Sequence, residues 1–116
     1  MLKIKLEDFR LPNVAQISVE ELKELKDTGK SPFVLDVREP HEYHQANLGG
    51  KLIPLSQLPQ RICELNKDED IVVHCRMGGR ATQAAELLMA NGFAKVKNLT
   101  GGILAWSQKI DPSMKP

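Results

Sequence analysis

Ile71-Val72-Val73-His74-Cys75-Arg76-Met77-Gly78-Gly79-Arg80, running on into Ala81-Thr82-Gln83-Ala84-Ala85-Glu86-Leu87-Leu88, decides the fold. The short β-branched run at its start reads as a buried strand. That strand ends on a cysteine and passes through a glycine-containing turn with two arginines. Beyond the turn, Ala81, Ala84, Ala85 and Leu88 recur at helical spacing, and Asn91-Gly92 supplies a C-terminal stop. Strand, turn and helix in that order are half of a parallel β/α unit.

Working outward, the same alternation recurs. Phe33-Val34-Leu35-Asp36-Val37 is a nearly continuous apolar run, expected of a strand buried on both faces of a parallel sheet. Glu39-Pro40 opens a short helix that His41 to Ala46 fill, and Leu48-Gly49-Gly50 turns into a brief strand at Lys51-Leu52-Ile53-Pro54. Ser56 is placed to cap a helix carrying Leu58, Ile62 and Leu65, with Pro59 in its first turn. Lys95-Val96-Lys97-Asn98-Leu99 reads as a further strand, and Gly101-Gly102 opens a last helix with Trp106 on its core face. Towards the N-terminus, Ser18-Val19-Glu20-Glu21 is a capping box for a helix with Val19, Leu22 and Leu25 inward, closed by Gly29. Residues 2–6 alternate as a short strand or extended arm. The pattern predicts an α/β fold, with a mainly parallel central sheet flanked by helices on both faces, as a single domain over 1–116 with its core at about 14–110.

Composition narrows the function. Sixteen basic against fifteen acidic side chains leave a net charge of +1, which argues against nucleic-acid or membrane partners. No apolar stretch approaches the ~20 residues of a membrane span, and the N-terminal alternation lacks the apolar core of a signal peptide. The expected compartment is therefore cytoplasmic and reducing, in which Cys63 and Cys75 are free thiols rather than a disulfide framework.

Cys75 stands where ligands of parallel sheets bind, beyond the carboxyl end of a strand. A thiolate is the reactive form, and a helix N-terminus with nearby cations favours it. Successive N–H groups from Arg76 to Ala81 have the makings of an anion-binding nest, Gly78 and Gly79 allow close backbone approach, and Arg76 and Arg80 add positive charge. The residues describe a cysteine nucleophile beside a small-oxyanion site, which thiosulfate, phosphate, arsenate or a persulfide would each suit. The three histidines, His41, His44 and His74, complete no four-ligand cluster, so they are read as surface residues and no metal is expected. Cys63 is expected to pack on its helix, Trp106 to lie in the core, and Asp36 with Arg38 to form a structural ion pair fixing neighbouring loops.

Cys75-Arg76-Met77-Gly78-Gly79-Arg80 resembles the active-site loop of the rhodanese (sulfurtransferase) family. Leu35-Asp36-Val37-Arg38-Glu39-Pro40-His41-Glu42-Tyr43 and Asn98-Leu99-Thr100-Gly101-Gly102-Ile103-Leu104-Ala105-Trp106 resemble that family's flanking motifs, in the same order. A narrower likeness, in Asp36 to Tyr43, Asn47 to Pro54 and Ile110 to Ser113, is to the C-terminal rhodanese domain of molybdopterin-synthase-sulfurylase-type adenylyltransferases. The resemblance implies that Cys75 becomes a persulfide, with Arg76, Met77, Gly78, Gly79 and Arg80 as the cradle and no separate cofactor. It implies a small sulfur-donor anion or a protein persulfide as donor, and a sulfur-carrier protein among the possible acceptors. Related phosphatases and arsenate reductases use a loop one residue longer than this one, which tilts the reading from phosphate to sulfur. A non-catalytic binding module on the same fold is the alternative. The sequence departs from common family members at Met77 and Ala81, where serine is frequent, and at Asn47, where histidine is.

Overall fold

The computed structural model describes residues 14–116; the extended segment expected at 2–6 lies outside the described residues. Five strands form one all-parallel sheet in the order β1-β5-β4-β2-β3, comprising β1 (Ala15–Ile17), β2 (Phe33–Asp36), β3 (Lys51–Leu52), β4 (Ile71–His74) and β5 (Val96–Leu99). The decisive β-branched run is β4, the central strand, and all four of its residues are buried. Ile71 and Val73 enter the apolar cluster on one face and Val72 that on the other, so the run is apolar without alternation because both faces are covered.

Helices cover both faces. On one lie α3 (Leu58–Arg61) and α4 (Gly79–Ala90), whose Leu58, Ala81, Ala84, Ala85 and Leu88 pack with Leu35, Val37 and Ile53. On the other lie α1 (Val19–Asp27) and α5 (Gly102–Lys109), joining Val19, Leu22 and Trp106 to Ile17 and Leu99. The alanines of α4 bring that helix close to the central strand, which fixes where its N-terminus falls. Each fully buried aliphatic side chain of this kind contributes roughly 1.5–3 kcal/mol.

The capping box on α1 is formed as read: the Ser18 hydroxyl accepts from Glu21 N–H at 3.1 Å, and the Glu21 carboxylate accepts from Ser18 N–H at 3.2 Å. Three local features differ from or go beyond the sequence pattern. β1 was not foreseen; it is a three-residue edge strand whose order comes from pairing with β5, from Ala15 beside Lys97 to Ile17 beside Leu99, rather than from its own pattern. The single helix expected after Ser56 is broken into a 3₁₀ turn at Leu55–Gln57, α3, and a second 3₁₀ turn at Ile62–Glu64, and Ser56 does not cap it. Pro59 has no N–H to donate back to the preceding turn, so the segment stays short and tight. Finally α4 begins at Gly79, ahead of its apolar periodicity, which places its first turn directly after the cysteine loop.

Candidate active site

Cys75 follows β4 and is 2% exposed. From it the chain turns through Arg76 and Met77 to Gly78, whose φ of 136° is open to glycine and strained for other residues. That conformation aims the Gly78 N–H at Cys75 Sγ, 3.0 Å away. The Gly78 carbonyl is held from the other side by Thr82, through its N–H at 3.0 Å and its hydroxyl at 2.8 Å. The sulfur thus sits at the N-terminal end of a twelve-residue helix with a backbone donor on it.

The other side of the loop is held by α5. The first free N–H groups of that helix, those of Ile103 and Leu104, donate to the carbonyls of Cys75 and Arg76, each at 3.0 Å. Both ends gain: a helix start finds acceptors for its orphan donors, and two loop carbonyls are turned towards α5. Because a trans peptide points its N–H opposite its C=O, the amides of Arg76 and Met77 face away from α5. This orientation is what an anion nest requires of them.

The two loop arginines differ. Arg76 is exposed and makes no ion pair among the described residues. Arg80 was expected to lend its charge to an anion, but it is committed to Glu42 of α2 (Pro40–Gln45), with Nη1 to Oε1 at 2.6 Å and Nη2 to Oε2 at 3.0 Å. The Arg80 guanidinium holds the Glu42 carboxyl down to about 2, and Glu42 in turn raises Arg80. Met77 is 64% exposed, the one large apolar side chain so exposed among the described residues.

Asp36 and Arg38 are both fully buried and joined side to side, Arg38 Nε to Oδ1 at 2.9 Å and Nη2 to Oδ2 at 2.7 Å. Arg38 also donates to the carbonyls of Ala46, at 2.8 Å, and Glu42, at 3.4 Å. The pair therefore fastens α2, which buries no residue of its own, to the end of β2. Asn47 shapes the next turn, donating to the Tyr43 carbonyl and accepting from Gly49 N–H.

Two expectations fail here. His41 and His44 are exposed, but His74 is wholly buried: its Nδ1 lies 3.4 Å from the Cys75 carbonyl, while its Nε2, 3.7 Å from Asp36 Oδ2, has no hydrogen-bond partner among the described residues. Burial lowers its pKa against the opposing pull of Asp36, so the ring is neutral at pH 7. As the last residue of a strand covered on both faces it has no route to the surface. Cys63 is exposed rather than packed, since the 3₁₀ turn at Ile62–Glu64 rotates it outward. Among the described residues no three His, Cys, Asp or Glu side chains gather as a metal site, and no helix is long and apolar enough to cross a membrane.

A cysteine following the central strand of a parallel sheet, with the Gly78 N–H on its sulfur and Gly102 at φ 62° packed against its carbonyl, matches a known domain. The sequence profile of the rhodanese-like domain fits residues 18–109. The chain belongs to the rhodanese-like family. A protein from Allochromatium vinosum named simply "Sulfurtransferase" is 36% identical over 104 residues, covering 89% of this chain and 97% of that one. Maize "Adenylyltransferase and sulfurtransferase MOCS3-2" is 36% identical over 110 residues, covering 88% of this chain and 23% of the maize protein. The rhodanese-related protein of Thermoplasma volcanium superposes with a TM-score of 0.74 at 30% identity, over 83% of this chain and 93% of that one. The chain thus spans nearly all of the Allochromatium relative but less than a third of others, 23% of the maize protein and 29% of a chloroplastic Arabidopsis protein with a rhodanese-like and a PpiC domain.

Beyond the loop itself, Glu42 and Gly102 shape this candidate site, through contacts to Arg80 and to the Cys75 and Arg76 backbone, and neither stood out in the sequence. Gly102 left a signal, since paired glycines ahead of an apolar helix mark close backbone approach. Glu42 left none: it meets Arg80 across 38 residues of chain.

Proposed function

We propose that the chain is a sulfurtransferase that carries sulfane sulfur as a persulfide on Cys75. The observation that carries this reading is the Gly78 N–H directed at Cys75 Sγ at the head of α4. A donor on the sulfur, with the Arg76 and Met77 amides turned outward by α5, suits a small anion bound at the cysteine and then a negatively charged outer sulfur attached to it.

With thiosulfate, the Cys75 thiolate attacks the outer sulfur, a new S–S bond forms, and the bond to the sulfonate sulfur breaks. Sulfite leaves with that electron pair, and the enzyme retains a persulfide anion. In the second half, a thiophilic acceptor takes the outer sulfur and Cys75 is released as thiolate. A protein persulfide serves as donor by the same exchange, with a protein thiolate leaving. Met77, apolar and exposed at the loop's rim, suits contact with such a protein donor or with a sulfur-carrier acceptor. A reducing compartment such as the cytoplasm would keep Cys75 available as a thiol.

The test is intact mass after incubation with thiosulfate or with a cysteine-desulfurase persulfide. A gain of one sulfur that cyanide removes, absent in Cys75→Ser, is expected. A correctly folded protein that accepts sulfur from neither donor, or a Cys75→Ser variant that still loads, would overturn the reading.

A further inference from the structure

Of the two guanidinium groups in the cysteine loop, one is already spent. Arg80 lies two residues beyond the glycine that touches Cys75 Sγ, and both of its terminal nitrogens are on the Glu42 carboxylate. Glu42 is not a casual surface partner. Its side chain is 19% exposed, and Oε1 also accepts from Glu39 N–H at 3.0 Å to cap α2. Its backbone carbonyl accepts from the buried Arg38. The carboxylate is thus delivered to Arg80 by a helix that is itself anchored, which makes the pair a fixed feature of the site.

An arginine whose terminal nitrogens face a carboxylate presents less net positive charge to an incoming dianion than an unpaired one does. In the loop, the guanidinium without an ion pair among the described residues is that of Arg76, which is solvent-exposed and screened and stands beside the partial charges of the backbone amides. We propose that Glu42 is a specificity-determining residue: by neutralising Arg80 it lowers the positive potential at Cys75 and turns the site away from dianionic donors such as thiosulfate, towards donors of lower charge such as a persulfide borne on a protein. This deepens the sulfurtransferase reading and rests on it for the identity of the donors, while the charge effect itself can be measured without any sulfur chemistry.

The measurement is the rate of Cys75 alkylation by iodoacetate, an anion, relative to iodoacetamide, which is neutral, read at the Cys75 peptide so that exposed Cys63 does not contribute. Because both reagents consume the same thiolate, the ratio cancels the extent of ionisation and reports the local potential. Glu42→Gln keeps an oxygen for the Glu39 amide but removes the charge opposite Arg80. The ratio should rise about three- to tenfold, the size expected for one partly solvated unit charge nearby, and the rise should shrink as salt is added. Arg80→Gln, which leaves Glu42 unopposed, should move the ratio below wild type, and the double variant should return close to it.

In sulfur loading, Glu42→Gln should lower KM for thiosulfate with little change in kcat, and should not lower KM for a protein persulfide. A residue that only braced the loop would give losses in both variants and no change of sign between them. An unchanged or lowered alkylation ratio in a Glu42→Gln protein with wild-type circular dichroism and Tm overturns the inference. Should wild type load sulfur from no donor while the ratios shift as described, the sulfurtransferase reading fails and the charge-setting role of Glu42 stands.

Discussion

Gly102 presses so closely on the backbone of Cys75 that a Cβ at that position would lie 2.6 Å from the Cys75 carbonyl oxygen, and closer still to that of Arg76. Its φ of 62° independently disfavours any side chain. The approach is what lets Ile103 and Leu104 donate to those two carbonyls. Gly102→Ala must therefore displace either α5 or the loop. The expected cost is about 2–4 kcal/mol, from roughly 1–2 kcal/mol of backbone strain and the weakening of two hydrogen bonds at about 1 kcal/mol each. Urea unfolding measures the cost, and persulfide loading should fall further than the stability change alone explains, because the amides opposite those carbonyls lose their aim.

The Asp36–Arg38 pair predicts a different pattern. Removing one member of a fully buried ion pair strands the other, at about 3–5 kcal/mol. Arg38→Met should show that loss in chemical denaturation. A double Asp36→Leu/Arg38→Met variant should recover part of it, since no buried charge is left over. Recovery stays incomplete because Arg38 also holds the Ala46 and Glu42 carbonyls, so amides of α2 should exchange faster in both variants.

What could be read from sequence follows from how local each interaction is. The central strand, the α1 capping box and the Cys75 turn are specified by neighbours within a few residues, and each was legible: period, cap and glycine act over one turn of chain. β1 was not, because a three-residue strand with one buried side chain owes its existence to β5, some eighty residues away. The family motifs made Cys75 and its loop legible as a candidate, whereas the state of Arg80 depends on Glu42 across 38 residues, and pairing of charges at that separation leaves no periodic trace. His74 looked like a surface histidine because polarity predicts exposure; the end of a doubly covered strand overrode it.

The acid response has an upper part from His74 and a lower part from carboxylates held by partners, Glu42 with Arg80 and Glu64 with Arg61 and Lys51 among them. Burial lowers the His74 pKa from 6.5, so the unfolded chain binds this proton at higher pH than the folded one does. Its contribution is intact above about pH 6.5 and is lost progressively as pH falls below that value. Glu42, lowered from 4.5 to about 2, adds a second loss as pH falls through that window. Thermal unfolding against pH should show a decline beginning near 6.5 that steepens below 4.5. In His74→Gln the upper decline should flatten while the lower one persists; in Glu42→Gln the lower one should become shallower without vanishing, because Glu64 and Glu21 still titrate there.

Met77 separates the small donor from the large one. Its side chain is 64% exposed and contributes little to the fold, so Met77→Ser should change unfolding free energy by no more than about 0.5 kcal/mol. In the proposed reaction a thiosulfate ion would reach Cys75 Sγ past the Gly78, Met77 and Arg76 amides, which the substitution leaves in place, and loading from thiosulfate should be within twofold of wild type. A protein donor must cover the loop's rim to bring its persulfide to the same sulfur, and would bury this side chain in doing so. Loss of that apolar contact is worth about 1 kcal/mol or more, so kcat/KM with a protein persulfide should fall about three- to tenfold. Equal losses with both donors would place the effect of Met77 inside the loop, through its backbone, and remove the rim as a protein-contact surface.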